Sequence, residues 1–360
     1  MGEEASANPV GEVVELLIDP RRGEKVAVEL PVSYRRPPEE ARARLGLADW
    51  VDLTDPIVAK AVVLLDAVRE ADPPIHLAIL GGVASRMRSR SSNDRALGLR
   101  RPLHDLDLAC LHREVKAVRR FLTTAHEREG SGLQFFETAG DRIFNSLAEG
   151  RRFRYHMVIG QRGNEVDLGA VDLLADEFRF CHRFDLRPEV QNAAAQHGTL
   201  SPALLLLAKL QFIQRIPGED RAKVPHRVLE GFGRHDVVIG PEDKDVKDIL
   251  ALLADHPLTE GPDGISPARL AELFAADGGL CRTAELNLGM IGRSPILGGL
   301  PAPPGAIARS QLDAVRAICA RSPAKRSRGL FGGPWWEEVD ATPSVDGTVT
   351  VEEPADVSRS

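Results

Sequence analysis

Two short segments constrain this chain more than any others: an apolar run that ends in two glycines, and a later run that carries two aspartates. They are Leu80-Gly81-Gly82-Val83-Ala84-Ser85 and His104-Asp105-Leu106-Asp107-Leu108. A Gly-Gly turn after a buried strand lets backbone N–H groups approach a phosphate without a Cβ in the way. Because strand side chains alternate, Asp105 and Asp107 share one face, about 6 to 7 Å apart. Two carboxylates on one face can share a divalent cation, so the segments together predict metal-assisted phosphoryl or nucleotidyl transfer.

The overall composition is that of a globular protein. The 360 residues, 43% hydrophobic and 28% charged, suffice for two domains or for one domain with an extension. The four cysteines have no CxxC spacing, which predicts free thiols rather than a disulfide or zinc framework. There is no run of about 18 apolar residues, and the start of the chain is acidic rather than signal-like. We therefore expect a soluble cytoplasmic protein with no membrane partner.

Positive charge is concentrated between the two segments. The net charge of −7 argues against non-specific coating of nucleic acid, but it does not exclude a local basic site. Six arginines and one acid, Asp94, lie in this interval; the arginines are Arg86, Arg88, Arg90, Arg95, Arg100 and Arg101. We expect this arginine cluster to contribute to choosing a polyanionic acceptor.

The pattern of apolar residues predicts an α/β (α+β) fold, with a mixed β-sheet flanked by helices and a C-terminal helical domain. We divide the chain into a β-hairpin extension (1–50), an α/β domain (51–190), a helical domain (191–340) and a disordered tail (341–360). The predicted strands are Val13–Ile18, Lys25–Val32, Ile75–Leu80, Asp105–Leu111, Leu133–Phe136, Phe153–Ile159 and Val166–Leu174. The predicted helices begin at Asp55-Pro56 and near Val83, and cover Glu114–Thr124, Ala203–Gln214, Val224–Gly231, Asp243–Asp255, Ser266–Ala275 and Ala306–Ala320. Polar loop structure is expected over Ser91–Gly98, and a hairpin turn over Gln161–Asn164.

A third carboxylate should come from a neighbouring strand. Asp167 and Asp172 are both candidates, and one continuous strand would place residues five apart on opposite faces. Gly169 could break the register between them. The residues alone leave the choice open.

Later charged residues are candidates for the same site. Lys209 lies in the apolar helix that starts at Ser201-Pro202, where an unpaired charge would cost several kcal/mol. It is either part of a salt bridge, a lysine that reaches the surface, or an ammonium that holds a triphosphate. Asp245 and Asp248 share one helix face, which indicates either a solvated first turn or a base that activates the acceptor.

Taken together, these residues resemble the DNA polymerase β-type nucleotidyltransferase superfamily. The matching elements are Gly81-Gly82, an arginine four residues before the first aspartate (Arg101), the pair Asp105/Asp107, and Val171-Asp172-Leu173. More narrowly, the chain is similar to the AbiEii/MenT-like nucleotidyltransferases, toxins of toxin–antitoxin and phage-defence systems. The segments that carry this narrower resemblance are the Lys209 helix and Asp243-Lys244-Asp245-Val246-Lys247-Asp248-Ile249.

The resemblance implies roles for these residues. Catalysis would use Asp105, Asp107, Asp172 and Asp245, with Mg²⁺ (or Mn²⁺) bound by the first three. The nucleotide-binding residues would be Gly81, Gly82, Ser85, Arg101 and Lys209. The donor would be a nucleoside triphosphate and the acceptor a tRNA 3′ end, with a cognate antitoxin as a further partner.

Two alternatives to tRNA modification remain open. The same reaction could use a protein hydroxyl or a small molecule such as an aminoglycoside as the acceptor. The chain could instead be a catalytically inactive module that binds a nucleotide or an antitoxin, although both aspartates of the pair are retained.

Overall fold

The computed structural model describes residues 14–18, 25–29, 37–71, 73–124, 133–147, 150–159, 166–232, 234–322 and 334–338. The chain is a mixed α/β protein. Its helices are α1 (Pro38–Leu45), α2 (Pro56–Val68), α3 (Gly81–Arg88), α4 (Val115–Thr124), α5 (Ala139–Leu147), α6 (Arg187–Gln191), α7 (Pro202–Leu210), α8 (Asp243–Asp255), α9 (Pro267–Ala276), α10 (Gly278–Ile291), α11 (Pro295–Gly299) and α12 (Pro304–Arg321). Its strands are β1 (Val14–Ile18), β2 (Lys25–Glu29), β3 (Leu77–Leu80), β4 (Asp105–Cys110), β5 (Leu133–Phe136), β6 (Arg152–Ile159), β7 (Val166–Ala175), β8 (Glu177–Arg179), β9 (Arg183–Asp185), β10 (Gln214–Pro217), β11 (Val228–Phe232) and β12 (Asp236–Ile239).

A five-stranded sheet organises the first half of the chain. Its order is β3-β4-β7-β6-β5, with β4 and β7 parallel and the other neighbours antiparallel. All four residues of β3 are buried, as is the apolar second half of β4, so these strands are covered on both faces. The parallel pairing places the polar start of β4 directly beside the middle of β7.

Helices α2, α7 and α8 pack into one large hydrophobic core with this sheet. Asp55 caps α2 and Ser201 caps α7, each accepting hydrogen bonds from backbone N–H groups of the first turn, and a proline follows each cap. Helix α7 is apolar around nearly its whole circumference and is correspondingly buried. This packing fixes the start of α8 close to the end of α7.

A second sheet lies within the segment predicted to be helical. Strands β10, β12 and β11 form a three-stranded antiparallel sheet in that order. The predicted helix over Val224–Gly231 is therefore wrong: the chain forms a short 3₁₀ turn at Pro225–Arg227 and then enters β11. Proline lacks the N–H that a helix interior needs, and the following residues pair with β12 instead.

Most of the other predicted elements are confirmed within one to four residues. Five helices that the apolar pattern did not reveal are additional: α1, α5, α6, α10 and α11. The Ser91–Gly98 segment is not a simple polar loop, since it forms two 3₁₀ turns and buries Ser91 and Ser92. Strands β1 and β2 pair antiparallel, as the hairpin prediction requires. The predicted turn at 161–164 and the tail at 341–360 lie outside the described residues.

No helix in the described ranges is both long and apolar enough to cross a bilayer.

Candidate active site

Helix α3 begins with the two glycines, Gly81 and Gly82. It follows β3 directly, with no turn between the strand and the helix. Gly81 adopts a φ of +68°, the left-handed region that glycine tolerates best. A Cβ placed on Gly81 would lie 2.0 Å from Oδ2 of Asp107, and one placed on Gly82 would lie 2.0 Å from Nη2 of Arg101. Both positions therefore need glycine because two candidate site residues approach the backbone here.

Ser85, predicted to bind nucleotide, is not accessible to a ligand in this conformation. Its side chain is fully buried, and its hydroxyl donates a hydrogen bond to the carbonyl oxygen of Gly81 at 3.0 Å. Ser85 therefore stabilises the first turn of α3 through this hydrogen bond.

The parallel register brings Asp107 and Asp172 side by side. Asp107 on β4 pairs with Asp172 on β7, and Asp105 pairs with Ala170. The pairing of β7 with β4 starts only at Ala170. Asp167 lies before this point, and its register partner is Val158 on the other neighbouring strand, β6. Of the two candidates for a third carboxylate, Asp172 is the one beside the pair.

Gly169 separates the two candidates, as the sequence suggested it could. Its φ is +126°, and a Cβ there would lie 2.0 Å from the carbonyl oxygen of His104. The β6–β7 register also shifts at this point, between Met157 and Val158. The irregularity allows β7 to approach the residue that precedes β4.

The carboxylates repel one another. Burial first, and then the neighbouring charges of Asp105 and Asp172, raise the pKa of Asp107 to about 8. Asp172 behaves differently: burial alone would raise its pKa, but the attraction of Arg152 and Arg154 outweighs this and the pKa is lowered. A cation between these carboxylates would relieve their repulsion, in competition with the proton on Asp107.

Two arginines that sequence reasoning missed hold Asp172. Arg152 Nη2 donates to Asp172 Oδ2 at 2.6 Å, and Arg154 Nε donates to Asp172 Oδ1 at 3.1 Å. The ring of Phe144, on α5, lies 5.5 Å from the guanidinium carbon of Arg152 and 4.9 Å from that of Arg154. The alternation Arg152-Phe153-Arg154 was the available signal, since it places both arginines on one face of a strand.

Lys209 is paired with the two aspartates of α8. Its Nζ lies 2.7 Å from Asp245 Oδ1 and 3.3 Å from Asp248 Oδ2, and its side chain is 16% exposed. Burial would lower the pKa of Lys209, but the attraction of Asp245 and Asp248 outweighs it and raises the pKa. Lys209 is thus a fixed, charged ammonium, close enough to Asp107 to favour ionisation of that carboxyl.

Arg101 is held by Asp248. Its Nε and Nη2 donate to the Asp248 carboxylate at 2.8 to 3.2 Å, and its Nη1 donates to the carbonyl of Pro102 at 2.9 Å. Both side chains are almost fully buried. The prediction that Arg101 holds a triphosphate does not fit this arrangement, because its donors face Asp248 and a backbone carbonyl; it braces the glycine turn instead.

The arginine cluster does not form one positive surface. Arg86 is buried and donates to the carbonyl of Arg101 at 2.5 Å, and Arg88 is buried against Pro262 and Asp263. The salt bridges and hydrogen bonds of Arg86, Arg88, Arg100 and Arg101 are internal, and the exposed arginines of the cluster are Arg90 and Arg95. Most of the cluster therefore serves packing between α3 and its neighbours.

The chemistry of the donor set fits a hard divalent cation. Asp105, Asp107 and Asp172 supply carboxylate oxygens, the ligands that Mg²⁺ and Mn²⁺ prefer. In the described part of the chain, no group of three or more ligating side chains is already arranged around a metal position. Both carboxylate oxygens of Asp172 accept hydrogen bonds from arginines of β6.

No protein-family model matches the chain, and no curated protein matches it. What the chain does must therefore be inferred from its own residues.

Proposed function

We propose that this chain is a nucleotidyltransferase of the DNA polymerase β type, similar to the AbiEii/MenT-like toxins. It would transfer a nucleoside monophosphate from a nucleoside triphosphate to a tRNA 3′ end. The observation that carries the proposal is the pairing of Asp107 with Asp172 on parallel strands, beside a helix that begins with two glycines. The carboxylates and the N-terminus of a helix therefore lie next to each other.

Asp105, Asp107 and Asp172 would hold Mg²⁺ or Mn²⁺. When bound, the metal stabilises the negative charge that develops on the α-phosphate as pyrophosphate leaves. The raised pKa of Asp107 is consistent with a carboxyl that ionises fully only when a cation arrives.

The first turn of α3 and Lys209 would hold the triphosphate. Backbone N–H groups at a helix N-terminus point outward and favour an anion. Lys209 contributes a permanent positive charge because Asp245 and Asp248 raise its pKa. Arg101 would act indirectly, through its contacts with Gly82 and Asp248.

Asp245 would have two functions near the acceptor. It holds the Lys209 ammonium at 2.7 Å, and this attraction, opposed by burial, keeps the pKa of Asp245 low. An ionised carboxylate here could accept a proton or a hydrogen bond from an acceptor hydroxyl. A toxin with this activity would modify tRNA, and a cognate antitoxin would restrain it.

A transfer assay tests the proposal. The protein is incubated with Mg²⁺, total tRNA and each of the four α-³²P-labelled nucleoside triphosphates, and label in tRNA is measured by electrophoresis. We expect label with at least one nucleotide, and none after chelation with EDTA. Asp105→Asn should abolish transfer, whereas Asp313→Asn, exposed on α12, should not.

Two results would contradict the proposal at different levels. Absence of label with all four nucleotides would argue against tRNA nucleotidyl transfer. Undiminished transfer by Asp105→Asn would leave the activity but reject the assigned site.

A further inference from the structure

One register row crosses the sheet through the candidate site. Leu80 pairs with Asp107, Asp107 with Asp172, and Asp172 with Arg154. Since neighbouring strands lie about 4.8 Å apart, the start of α3 and Arg154 lie on opposite sides of the carboxylates. The site therefore has a glycine side, formed by the start of α3, and an arginine side, formed by β6 and α5.

The cations on the two sides differ in what they can still bind. Next to the glycine side, Arg101 is buried and its donors are directed at Asp248 and Pro102. On the arginine side, Arg152 and Arg154 each keep more than a third of their side-chain surface exposed while bound to Asp172. A guanidinium has five N–H donors, so each arginine can hold Asp172 and still bind a further anion.

An aromatic ring adjoins these arginines, on a helix that also exposes apolar side chains. Phe144 of α5 lies within 5.5 Å of both guanidinium carbons and is partly exposed. The same helix exposes Ile143 (63%) and Leu147 (75%), two of the most exposed large apolar side chains described. Arginines beside an exposed aromatic ring are a combination that binds single-stranded nucleic acid, through phosphate contacts and base stacking.

We propose that Arg152, Arg154 and Phe144 form the acceptor platform, which binds the 3′-terminal nucleotides of an RNA strand. Arg152 and Arg154 bind backbone phosphates, and Phe144 stacks against an unpaired base. This inference rests on the proposed nucleotidyl transfer, because the glycine side is then taken by the triphosphate and leaves the arginine side for the acceptor. It replaces the arginine cluster of 86–101 as the part of the chain that selects the acceptor.

The charge of the platform also discriminates among acceptors. An aminoglycoside is a polycation, and two half-exposed arginines beside the reaction centre would repel it. A neutral protein hydroxyl would gain nothing from them. An RNA 3′ end gains charge-assisted, bidentate contacts to phosphate, which arginine makes better than lysine does.

Direct RNA binding tests the platform without requiring catalysis. The affinity of Asp105→Asn protein for a 5′-fluorescein-labelled tRNA transcript is measured by anisotropy over a range of salt concentrations. Adding Arg152→Met and Arg154→Met should weaken binding at least about tenfold and make the salt slope shallower by about 0.7 per arginine. Phe144→Ala should weaken RNA binding about fivefold or more. Phe144→Trp keeps an aromatic ring for base stacking and should bind RNA about as well as the protein with Phe144.

Matched controls separate the platform from general charge loss and from misfolding. Arg90→Met with Arg95→Met removes two exposed arginines outside the platform and should change the affinity less than twofold. Arg152→Lys with Arg154→Lys keeps the charge, so most of the salt slope should remain while affinity falls. Nucleotide affinity, measured separately with a fluorescent triphosphate, should stay within about twofold in Phe144→Ala and in the Lys variant, which keep both positive charges beside Asp172.

The outcomes distinguish this inference from the proposed function. The platform would be overturned if the Arg90/Arg95 and Arg152/Arg154 Met variants lost RNA affinity equally, or if the Arg152/Arg154 variant lost none. Either result would stand even if transfer activity is found. A tRNA transcript lacking its three terminal nucleotides should bind more weakly, and equal binding would also overturn it. Absence of nucleotidyl transfer would reject the proposed function irrespective of the RNA affinities.

Discussion

The ionisation of Asp107 depends strongly on its surroundings. Its pKa is raised from 3.8 to about 8 in the folded protein, by burial first and by Asp105 and Asp172 second. The folded protein thus binds this proton more tightly than the unfolded chain does. Its contribution to stability is complete below about pH 4 and is lost progressively as the pH rises to about 8. In EDTA, the unfolding temperature should fall more steeply from pH 5 to pH 8 for the wild type than for Asp107→Asn.

Divalent metal should reverse this loss. At pH 8, Mg²⁺ should raise the unfolding temperature of the wild-type protein and have little effect on Asp107→Asn, since the variant lacks the crowded charge. If the unfolding temperatures of the wild type and Asp107→Asn in EDTA fall in parallel as the pH rises, the raised pKa of Asp107 is not the cause of the loss.

Gly81 has no room for a side chain. Gly81→Ala should lower kcat at least tenfold, because its Cβ would meet the Asp107 carboxylate and its φ of +68° would be strained. Gly98→Ala is a matched control: Gly98 has a φ of +67° and no atom within 4 Å of an added Cβ. Both variants should lose about 1 kcal/mol of stability from backbone strain. Equal activities would show that the approach to Asp107 is unimportant.

At the scale of elements, the first turns of α8 carry the carboxylates that pair with the buried cations Lys209 and Arg101. Asp248→Ala should destabilise the protein by about 3 to 5 kcal/mol, because Arg101 would remain buried without its carboxylate partner. Asp243→Ala, exposed in the first turn of the same helix, should cost less than about 0.5 kcal/mol. Urea unfolding followed by circular dichroism measures both. A similar cost for the two variants would show that the Arg101–Asp248 pair is not a structural support.

Elements with strong local signals were predictable, and α8 is an example. Its apolar positions repeat with helical spacing, and the predicted bounds Asp243–Asp255 agree with the structure. Helix α1 lies in the segment 1–50 that was predicted only as a β-hairpin extension, and Pro38 occupies its first helical position. Strand β11 was assigned as helix because its strand character comes from pairing with β12, which local spacing does not contain.

In the site, too, local patterns were predictable and contacts between distant segments were not. Asp105 and Asp107 could be predicted as a same-face pair because strand geometry alone decides it. The choice of Asp172 over Asp167 depends on the register at Gly169, which only the assembled sheet sets. The pairing of Arg101 with Asp248 joins residues 147 apart in sequence, so no local pattern could reveal that this arginine is already engaged.

At the scale of the whole molecule, residues 334–338 tie the three-stranded sheet to the helical core. Trp336 is buried and packs edge-on against Phe232 of β11, with ring centroids 5.5 Å apart. Trp335 Nε1 donates to Thr283 Oγ1 of α10 at 3.0 Å. The N–H of Glu337 donates to the carbonyl of Cys181 at 2.9 Å. These contacts anchor residues 334–338 to β11, to α10 and to Cys181.

The anchoring can be measured by truncating each ring. Trp336→Ala should cost about 3 to 5 kcal/mol, since it removes a large buried side chain from the cluster with Cys181, Ile213 and Val238. Trp335→Phe should cost only about 1 kcal/mol, because it loses one hydrogen bond but keeps an aromatic ring for stacking with Arg282. Urea unfolding monitored by circular dichroism gives both values. If Trp336→Ala costs no more than Trp335→Phe, residues 334–338 do not unfold cooperatively with the body, and the three-stranded sheet is held by α10 and the core alone.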